Sequence, residues 1–431
     1  MPSDRSDPAE SGSEDELSRR WREKSLRYVS AINSFVERGL RDGWEKAGKQ
    51  PKDTRQTMAK AVLAAVRRAN DLGTTDELRE KFPPAHEPFG KMIEVGGPGL
   101  PVATLLDDGR VVLCIADSWE SHRFVEVHER HIEPLDASIL SIGRSPDRRY
   151  FAVARPSGVQ ILDGWGGPVV AALNWPDGLE EPPTVTQIIP FPDGDSALLV
   201  SPEGVFVLQP GGAVRLLPRP EELEECQKED LSSSLAMEHG AISPDGRYIA
   251  TGHQSSPHYV FDTATCHLVA EIGPMSEYPH YAAFSSDGAM VILNACHFYS
   301  GATIGVPTTL LPGLRTEYYE THPQIPTLED GARVYAAVYR PDEFIIGDAY
   351  GYLRAFDRTG KRLWQHYVGG TINCIDISQD GKELVVSTFA GFLCFLELDT
   401  GKRDPFTIGT SMHRERRRWL FWKNESRPLI W

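Results

Sequence analysis

The hydrophobic pattern of the chain changes its period once, near residue 90. Before that point, apolar side chains recur every three or four residues from Leu17 to Leu40 and again from Met58 to Ala69. This spacing places each set on one face of an α-helix. We therefore expect residues 14–85 to form a helical region, a hairpin of two amphipathic helices. The hairpin either packs on the rest of the chain or presents its apolar stripe to a partner.

The ends of the two predicted helices carry recognisable signals. Ser13 and Glu16 have the spacing of a capping box, in which each side chain bonds a free backbone amide at the start of a helix. The polar residues 1–13 are expected to be a disordered tail. The break between the helices is marked by residues that terminate a helix, Gly43, Gly48 and Pro51.

Beyond Lys91 the chain alternates short β-rich runs with turns. Seven turns centre on an aspartate, most often followed by glycine, and lead into an apolar run: Asp108, Asp147, Asp193, Asp245, Asp287, Asp342 and Asp380. The spacings between successive aspartates are 39, 46, 52, 42, 55 and 38 residues. A period of roughly 40–50 residues is typical of a four-stranded propeller blade. The pattern predicts an all-β, seven-bladed β-propeller over residues 90–410, preceded by the N-terminal α-helical hairpin.

The closure of this ring has two interpretations. Propellers usually close by pairing a strand from the start of the ring region into the last blade, and Met92–Val95 has a suitable composition. Alternatively, Arg403–Ile408 supplies the outer strand of blade seven. The apolar runs within the basic, tryptophan-rich residues 411–431 would then be extra edge strands or part of a tail, and they are too apolar to remain in water. We expect this tail to dock on the propeller, with docking on another chain as the alternative.

Composition narrows the class of protein. The net charge is −16, and residues 1–85 carry 17 Lys and Arg against 15 Asp and Glu, so the rest of the chain carries −18. Such a ring repels a phosphate backbone, which argues against nucleic-acid binding and favours a basic or mixed-charge protein partner.

With no membrane-length apolar run and no signal-peptide core, no membrane association is expected. The six cysteines are dispersed singly, which suits reduced thiols and a cytoplasmic protein.

The repeats resemble those of WD40-type β-propellers. The segments Ser243–Gly246 and Tyr259–Asp262 hold the turn and the third strand of such a blade. The resemblance covers residues 90–410 and implies the propeller fold. Because no repeat ends in Trp-Asp and the expected Gly-His pair is missing, the polar network of that family is not carried over. The segment Asp357–Trp364 is similar to the blade motif of quinoprotein-like propellers, but it occurs once, and we expect no cofactor.

Catalytic signatures are missing from the sequence. There is no nucleophile elbow, no zinc-protease motif and no phosphate-binding glycine loop. The nearest metal-like cluster is His128–His131, whose two histidines would point to opposite faces of a strand. Propeller enzymes commonly line the channel with metal-binding acids, whereas only Asp376 is acidic among the predicted inner strands. We therefore expect neither catalytic residues nor a metal site.

Extra length interrupts the repeats at residues 174–183, 218–234 and 312–333. The prediction places each insertion between the outer strand of one blade and the inner strand of the next, where connections emerge on one face. Exposed aromatic residues on such loops are typical interface anchors. The predicted partner-binding residues are acidic or aromatic: Trp175, Glu180, Glu181, Glu221, Glu222, Glu224, Glu225, Tyr318 and Tyr319.

These observations favour a non-enzymatic protein-interaction module, a propeller scaffold that binds a protein partner through acidic-aromatic loops on one face. Two other classes stay open from the sequence. One is a stoichiometric inhibitor of a toxin or enzyme, in the manner of an immunity protein, because an acidic ring suits a basic active site. The other is a propeller hydrolase or lyase with a site in the channel, which a bound metal would reveal. The sequence leaves the oligomeric state open.

Overall fold

Seven antiparallel β-sheets dominate the computed structural model, which describes residues 8–117, 121–229 and 232–431. Five of the described sheets have four strands and two have five, in each case in chain order, and the sheets are the blades of a seven-bladed β-propeller. The prediction of the fold class is confirmed. The strands are short and apolar in their centres, as blades buried on both faces require.

The first four blades use the chain up to residue 272. Blades one and two consist of β1 (Ala103–Leu105), β2 (Val111–Ala116), β3 (His122–His128), β4 (His131–Pro134), β5 (Ser141–Arg144), β6 (Tyr150–Arg155), β7 (Gly158–Asp163) and β8 (Val169–Leu173). Blades three and four consist of β9 (Gln187–Pro190), β10 (Ala197–Ser201), β11 (Gly204–Gln209), β12 (Gly212–Leu217), β13 (His239–Ile242), β14 (Tyr248–Gly252), β15 (His258–Asp262) and β16 (Leu268–Ile272).

The last three blades are less regular. Blade five consists of β17 (Tyr278–Phe284), β18 (Met290–His297), β19 (Ser300–Pro307) and β21 (Thr327–Asp330), and β20 (Arg315–Thr316) adds a fifth strand to blade four. Blades six and seven consist of β22 (Val334–Arg340), β23 (Glu343–Asp348), β24 (Tyr352–Phe356), β25 (Arg362–Tyr367), β26 (Ile372–Ile377), β27 (Glu383–Thr388), β28 (Phe392–Glu397), β29 (Arg414–Leu420) and β30 (Leu429–Ile430).

The repeated aspartate turn joins the first and second strands of a blade and depends on a serine two residues earlier. In blade four, Ser243 Oγ donates to Asp245 at 2.6 Å and accepts a hydrogen bond from the Tyr248 amide at 2.9 Å. The same pair of bonds recurs in three other blades, at Ser145, Ser285 and Ser378. Gly246 completes the turn with a φ of 71°. The aspartate was predicted from the sequence pattern, whereas the role of the serine was not.

Alternating strand directions divide the connections between two faces of the ring. Connections from first to second and from third to fourth strands lie on one face, which we call the aspartate-turn face. The hairpins from second to third strands and the links between blades lie on the other, the hairpin face. The insertion at 312–333 corrects the prediction, because most of it lies between β19 and β21 of one blade. It leaves from the aspartate-turn face and runs along blade four as β20.

Blade seven corrects both interpretations of ring closure. Its outer strand is β29, which pairs with β28 from Phe392–Leu420 to Glu397–Arg414. Met92–Val95 lies in a helix, and Arg403–Ile408 lies in the connection that leads to β29. The blade therefore extends beyond residue 410, into the segment predicted as a docked tail. The physical reason is the apolar run from Trp419 to Trp422, which is buried against blades one and seven.

The N-terminal region packs against the last two blades. It contains α1 (Pro8–Asp42), α2 (Ala59–Leu72), α3 (Leu78–Lys81) and α4 (Gly90–Gly96), while α5 (Pro220–Glu229) lies between blades three and four. Trp21 is fully buried, and its ring centroid lies 5.9 Å from that of Phe89. Phe89 in turn meets Trp431 at 5.2 Å, so both ends of the chain share one core with the ring. In the described ranges, no helix has the length and apolarity needed to cross a lipid bilayer.

The start of α1 differs from the prediction. The helix begins at Pro8, so Ser13 lies inside it and does not form an N-terminal cap. Of the predicted disordered tail, residues 1–7 lie outside the described residues, and residues 8–13 have helical backbone. The end agrees with the sequence pattern, because α1 stops at Asp42 and Gly43 takes a φ of 91°.

The seam between blades one and seven is held by Asp376. This carboxylate accepts hydrogen bonds from the Leu105 amide at 2.7 Å and from Arg144 of blade two at 2.7 and 2.8 Å. Arg148 adds a further bond at 3.2 Å. The one acidic residue of the predicted inner strands thus joins three blades. Burial lowers the pKa of Arg144, although the Asp376 carboxylate opposes the shift.

Candidate interaction surface

The first insertion is anchored to blade two. The indole Nε1 of Trp175 donates to the carbonyl of Arg155 at 3.0 Å, and the ring packs against the buried cluster between blades two and three. Glu180 and Glu181 are exposed, and the Glu180 amide donates to Glu203 at 2.8 Å. Trp175 therefore mainly makes contacts within the fold, whereas the two glutamates face solvent.

The second insertion contains α5, and its four predicted glutamates have different environments. Glu222 accepts a hydrogen bond from the Arg219 amide at 2.7 Å, which caps the helix, and another from the Tyr259 hydroxyl at 2.7 Å, which fastens it to blade four. Burial, followed by the Glu222 carboxylate, raises the pKa of Tyr259. The other three are exposed on the helix surface: Glu221, Glu224 and Glu225.

The third insertion also borders blade four. Through β20 it lies parallel to β16, and the Tyr319 amide donates to the Pro274 carbonyl at 3.1 Å. Tyr318 and Tyr319 are both exposed. An ion pair of 3.8 Å joins Arg315 of this insertion to Glu271 of blade four. The structure thus brings the second and third insertions to one blade and leaves the first on blades two and three.

A set of exposed aromatic residues occupies equivalent hairpins of three successive blades. Phe298 and Tyr299 lie between β18 and β19, Tyr350 between β23 and β24, and Phe389 between β27 and β28. Their exposed fractions are 76%, 60%, 45% and 45%, respectively. All four emerge on the hairpin face, and we call them the aromatic rim. The Tyr299 and Tyr350 ring centroids are 6.3 Å apart.

Partly buried rings support the aromatic rim from below. Tyr335 of β22 meets Phe389 edge to face at 5.5 Å and His280 at 4.9 Å. The guanidinium of Arg333 lies 4.7 Å from the Tyr335 ring centroid. This surface was not predicted from the sequence. Its only signal was an aromatic residue within two positions of the end of the second strand in three consecutive repeats.

Three histidines lie near one another behind the hairpin face. Nδ1 of His239 donates to the Met237 carbonyl at 3.0 Å, and the His239 and His258 ring centroids are 5.7 Å apart. Nδ1 of His280 donates to the Val334 carbonyl at 2.8 Å. Burial lowers the pKa of His239 to about 4 and that of His280 to about 3, so both are neutral at pH 7.

Other chemistry-bearing residues are dispersed. The described part of the chain holds no group of three or more His, Cys, Asp or Glu side chains able to bind a metal ion. His128 and His131 are exposed, and the expectation that they point to opposite faces of one strand is wrong, because they are partners across the turn between β3 and β4. Burial raises the pKa of Cys114 to about 12 and that of Cys374 to about 11, which keeps both thiols protonated and unreactive.

Comparisons with known proteins add one structural likeness. No family model matches the chain, and no curated protein matches it in sequence. Among solved structures, hydrazine synthase from Kuenenia stuttgartiensis is similar with a TM-score of 0.46 and 14% sequence identity, over 68% of this chain and 93% of that one. A likeness of this extent carries no argument about activity, so function has to be argued from the surface itself.

Proposed function

We propose that this protein is a non-enzymatic protein-interaction module whose partner binds the hairpin face over blades five to seven. The observation that carries the proposal is the aromatic rim, which presents exposed rings at the same turn of three neighbouring blades. Large exposed aromatic side chains grouped on one surface are typical of interfaces. Because they stand on short hairpins of rigid blades, their ordering costs little conformational entropy on binding.

Charge favours a basic or mixed-charge partner. Residues 86–431 carry a net charge of −18. Close to the rim, Glu277 is exposed and pairs with His297 at 2.6 Å. Tyr318 and Tyr319, with the exposed glutamates of α5, offer further acidic and aromatic surface beside blade four. Long-range attraction of this kind raises association rates more than affinity.

The test is affinity purification from the native host with three versions of the full chain, followed by mass spectrometry. The rim variant carries Phe298→Ser, Tyr299→Ser and Phe389→Ser. The control variant carries Val169→Ser, Val170→Ser and Val214→Ser, which remove comparably exposed apolar side chains from outer strands of blades two and three. A partner retained by the wild type and the control but lost from the rim variant supports the proposal.

Equal capture by all three versions would refute it, as would the lack of any partner enriched by the wild type. A fourth version tests the contribution of blade four. It carries Glu224→Gln, Glu225→Gln, Tyr318→Ser and Tyr319→Ser, and it leaves Glu222 in place because that residue anchors α5. We expect it to weaken binding less than the rim variant does.

A further inference from the structure

A cavity of about 470 Å³ lies between α1 and blade six. One wall is apolar and comes from the helix, with Ile32, Phe35 and Val36 facing the cavity. The opposite side is polar and comes from β24, β25 and the segment before α4. This volume is that of a small-molecule site, and the combination of one apolar wall with convergent polar groups is typical of one.

The polar side brings the neighbouring phenol rings of Tyr352 and Tyr367 to the Glu87 carboxylate. The Tyr367 hydroxyl donates to Glu87 at 2.6 Å, and the Tyr352 and Tyr367 ring centroids are 4.9 Å apart. Tyr28 of α1 lines the same space. Within the described residues, no hydrogen bond joins the hydroxyl of Tyr28 or Tyr352 to another protein group, so both are free to bond a guest in the cavity.

The positive and negative charges at the polar side of the cavity largely cancel. Glu329 is buried and pairs with Arg354 at 2.6 Å and with Arg362 at 2.9 Å. Asp348, also buried, lies 3.0 Å from Arg354. Both guanidinium groups are thus engaged by carboxylates, which disfavours an anionic guest. Of the acidic residues lining the cavity, Glu87 and the exposed Asp330 remain without an arginine.

The protonation states favour a cation. Burial raises the pKa of Glu87, but the His86 imidazole and the Tyr367 hydroxyl outweigh it and hold that pKa below its usual value. Burial, followed by nearby carboxylates, raises the pKa of Tyr352 to about 12. At neutral pH the cavity therefore presents an ionised carboxylate surrounded by neutral phenols. Aromatic rings beside a carboxylate are a recurrent arrangement for binding ammonium groups.

We propose that this cavity binds an organic ammonium ion, with its nitrogen at Glu87 and the hydroxyls of Tyr28 and Tyr352 and its apolar part against α1. The ammonium belongs either to a free amine or to a lysine side chain of another protein. The site differs from the aromatic rim, although Tyr350 borders both. Its test therefore substitutes no rim residue, and its failure would leave the proposed interaction function untouched.

The experiment measures binding of three probes of equal length to the full chain by calorimetry: hexylammonium, hexanol and hexanoate. We expect hexylammonium to bind at least tenfold more tightly than the other two. Glu87→Gln should lower its affinity about tenfold, the effect of losing one charged hydrogen bond of roughly 1.4 kcal/mol. Glu225→Gln, on the exposed surface of α5, is the matched control and should change nothing.

The Tyr352→Phe variant separates an effect on ligand affinity from an effect on folding stability. The Tyr352 hydroxyl bonds to none of the described residues, so the variant should melt like the wild type yet bind hexylammonium several-fold more weakly. Equal affinity for hexanoate and hexylammonium, full affinity in Glu87→Gln, or no binding of any probe would overturn the proposal. A glycine-flanked lysine peptide that binds more tightly than hexylammonium identifies a protein side chain as the source, and weaker binding identifies a free amine.

Discussion

Replacing Asp376 by alanine should destabilise the ring at its seam by about 3 kcal/mol or more. The carboxylate joins blade seven to the Leu105 amide of blade one and to two arginines of blade two, Arg144 and Arg148. Within the described residues the first and last blades share no strand, so closure at this seam relies on side-chain contacts such as this one and on a few single hydrogen bonds. The substitution therefore tests how the propeller closes.

The expected loss of stability follows from the two arginines that remain after the substitution. The side chains of Arg144 and Arg148 are only 11% and 20% exposed, so removal of Asp376 leaves two poorly solvated positive charges close together. Breaking a buried ion pair by deleting one partner costs about 3–5 kcal/mol. The low end of that range applies, because Arg148 also donates to the carbonyls of Leu105 and Ile377.

The assay is urea unfolding followed by tryptophan fluorescence, with Asp163→Ala as the control. Asp163 pairs with Arg149 at 3.0 Å, but both side chains are more than a third exposed, and such pairs are worth about 1 kcal/mol or less. Asp376→Leu combined with Arg144→Met should recover part of the loss, since no stranded charge pair remains. If Asp376→Ala cost no more than Asp163→Ala, closure by this carboxylate would be refuted.

Two further predictions follow from the fold. Deleting residues 414–431 should cause aggregation, because the deletion removes the outer strand of blade seven and exposes the edge of β28. Light scattering measures the aggregation, and a stable monomer would contradict the prediction. Acid should weaken the fold through His239 and His280. Their pKa values lie near 4 and 3 in the folded protein and at about 6.5 in the unfolded chain, so their contribution is complete above pH 6.5 and is lost as pH falls toward 4 and 3. Urea midpoints between pH 7 and pH 4.5 should fall less steeply after both are replaced by glutamine.

The blades could be predicted from sequence because their signal is local and repeated. An aspartate turn such as Ser243–Gly246 needs only its own residues to form, and seven copies define the architecture. The outer strand of blade seven could not be predicted in the same way. Arg414–Leu420 begins with five charged residues, a composition that does not predict a blade strand, and it becomes a strand only through pairing with β28.

The candidate surface could likewise be predicted only in part from the sequence. Length alone located the insertions, but a glutamate that anchors a helix and one that faces solvent look identical in sequence. Glu222 and Glu225 lie three residues apart in the same helix, yet only Glu222 reaches the Tyr259 hydroxyl. The aromatic rim was missed because its members lie in separate repeats and become neighbours only when three blades stand side by side.

Hydrogen bonds join the N-terminal helical region to the end of blade seven. Asn70 of α2 exchanges hydrogen bonds with the backbone of Ile430, at 2.8 Å in each direction. The indole of Trp431 donates to the Phe82 carbonyl at 2.6 Å. Since β30 pairs with β29, these bonds connect the N-terminal helices to the outer strand of blade seven. The helical region is therefore fastened to the last blade by these bonds, while Asn33 separately holds α1, the apolar wall of the cavity, to Thr407 and Gly409.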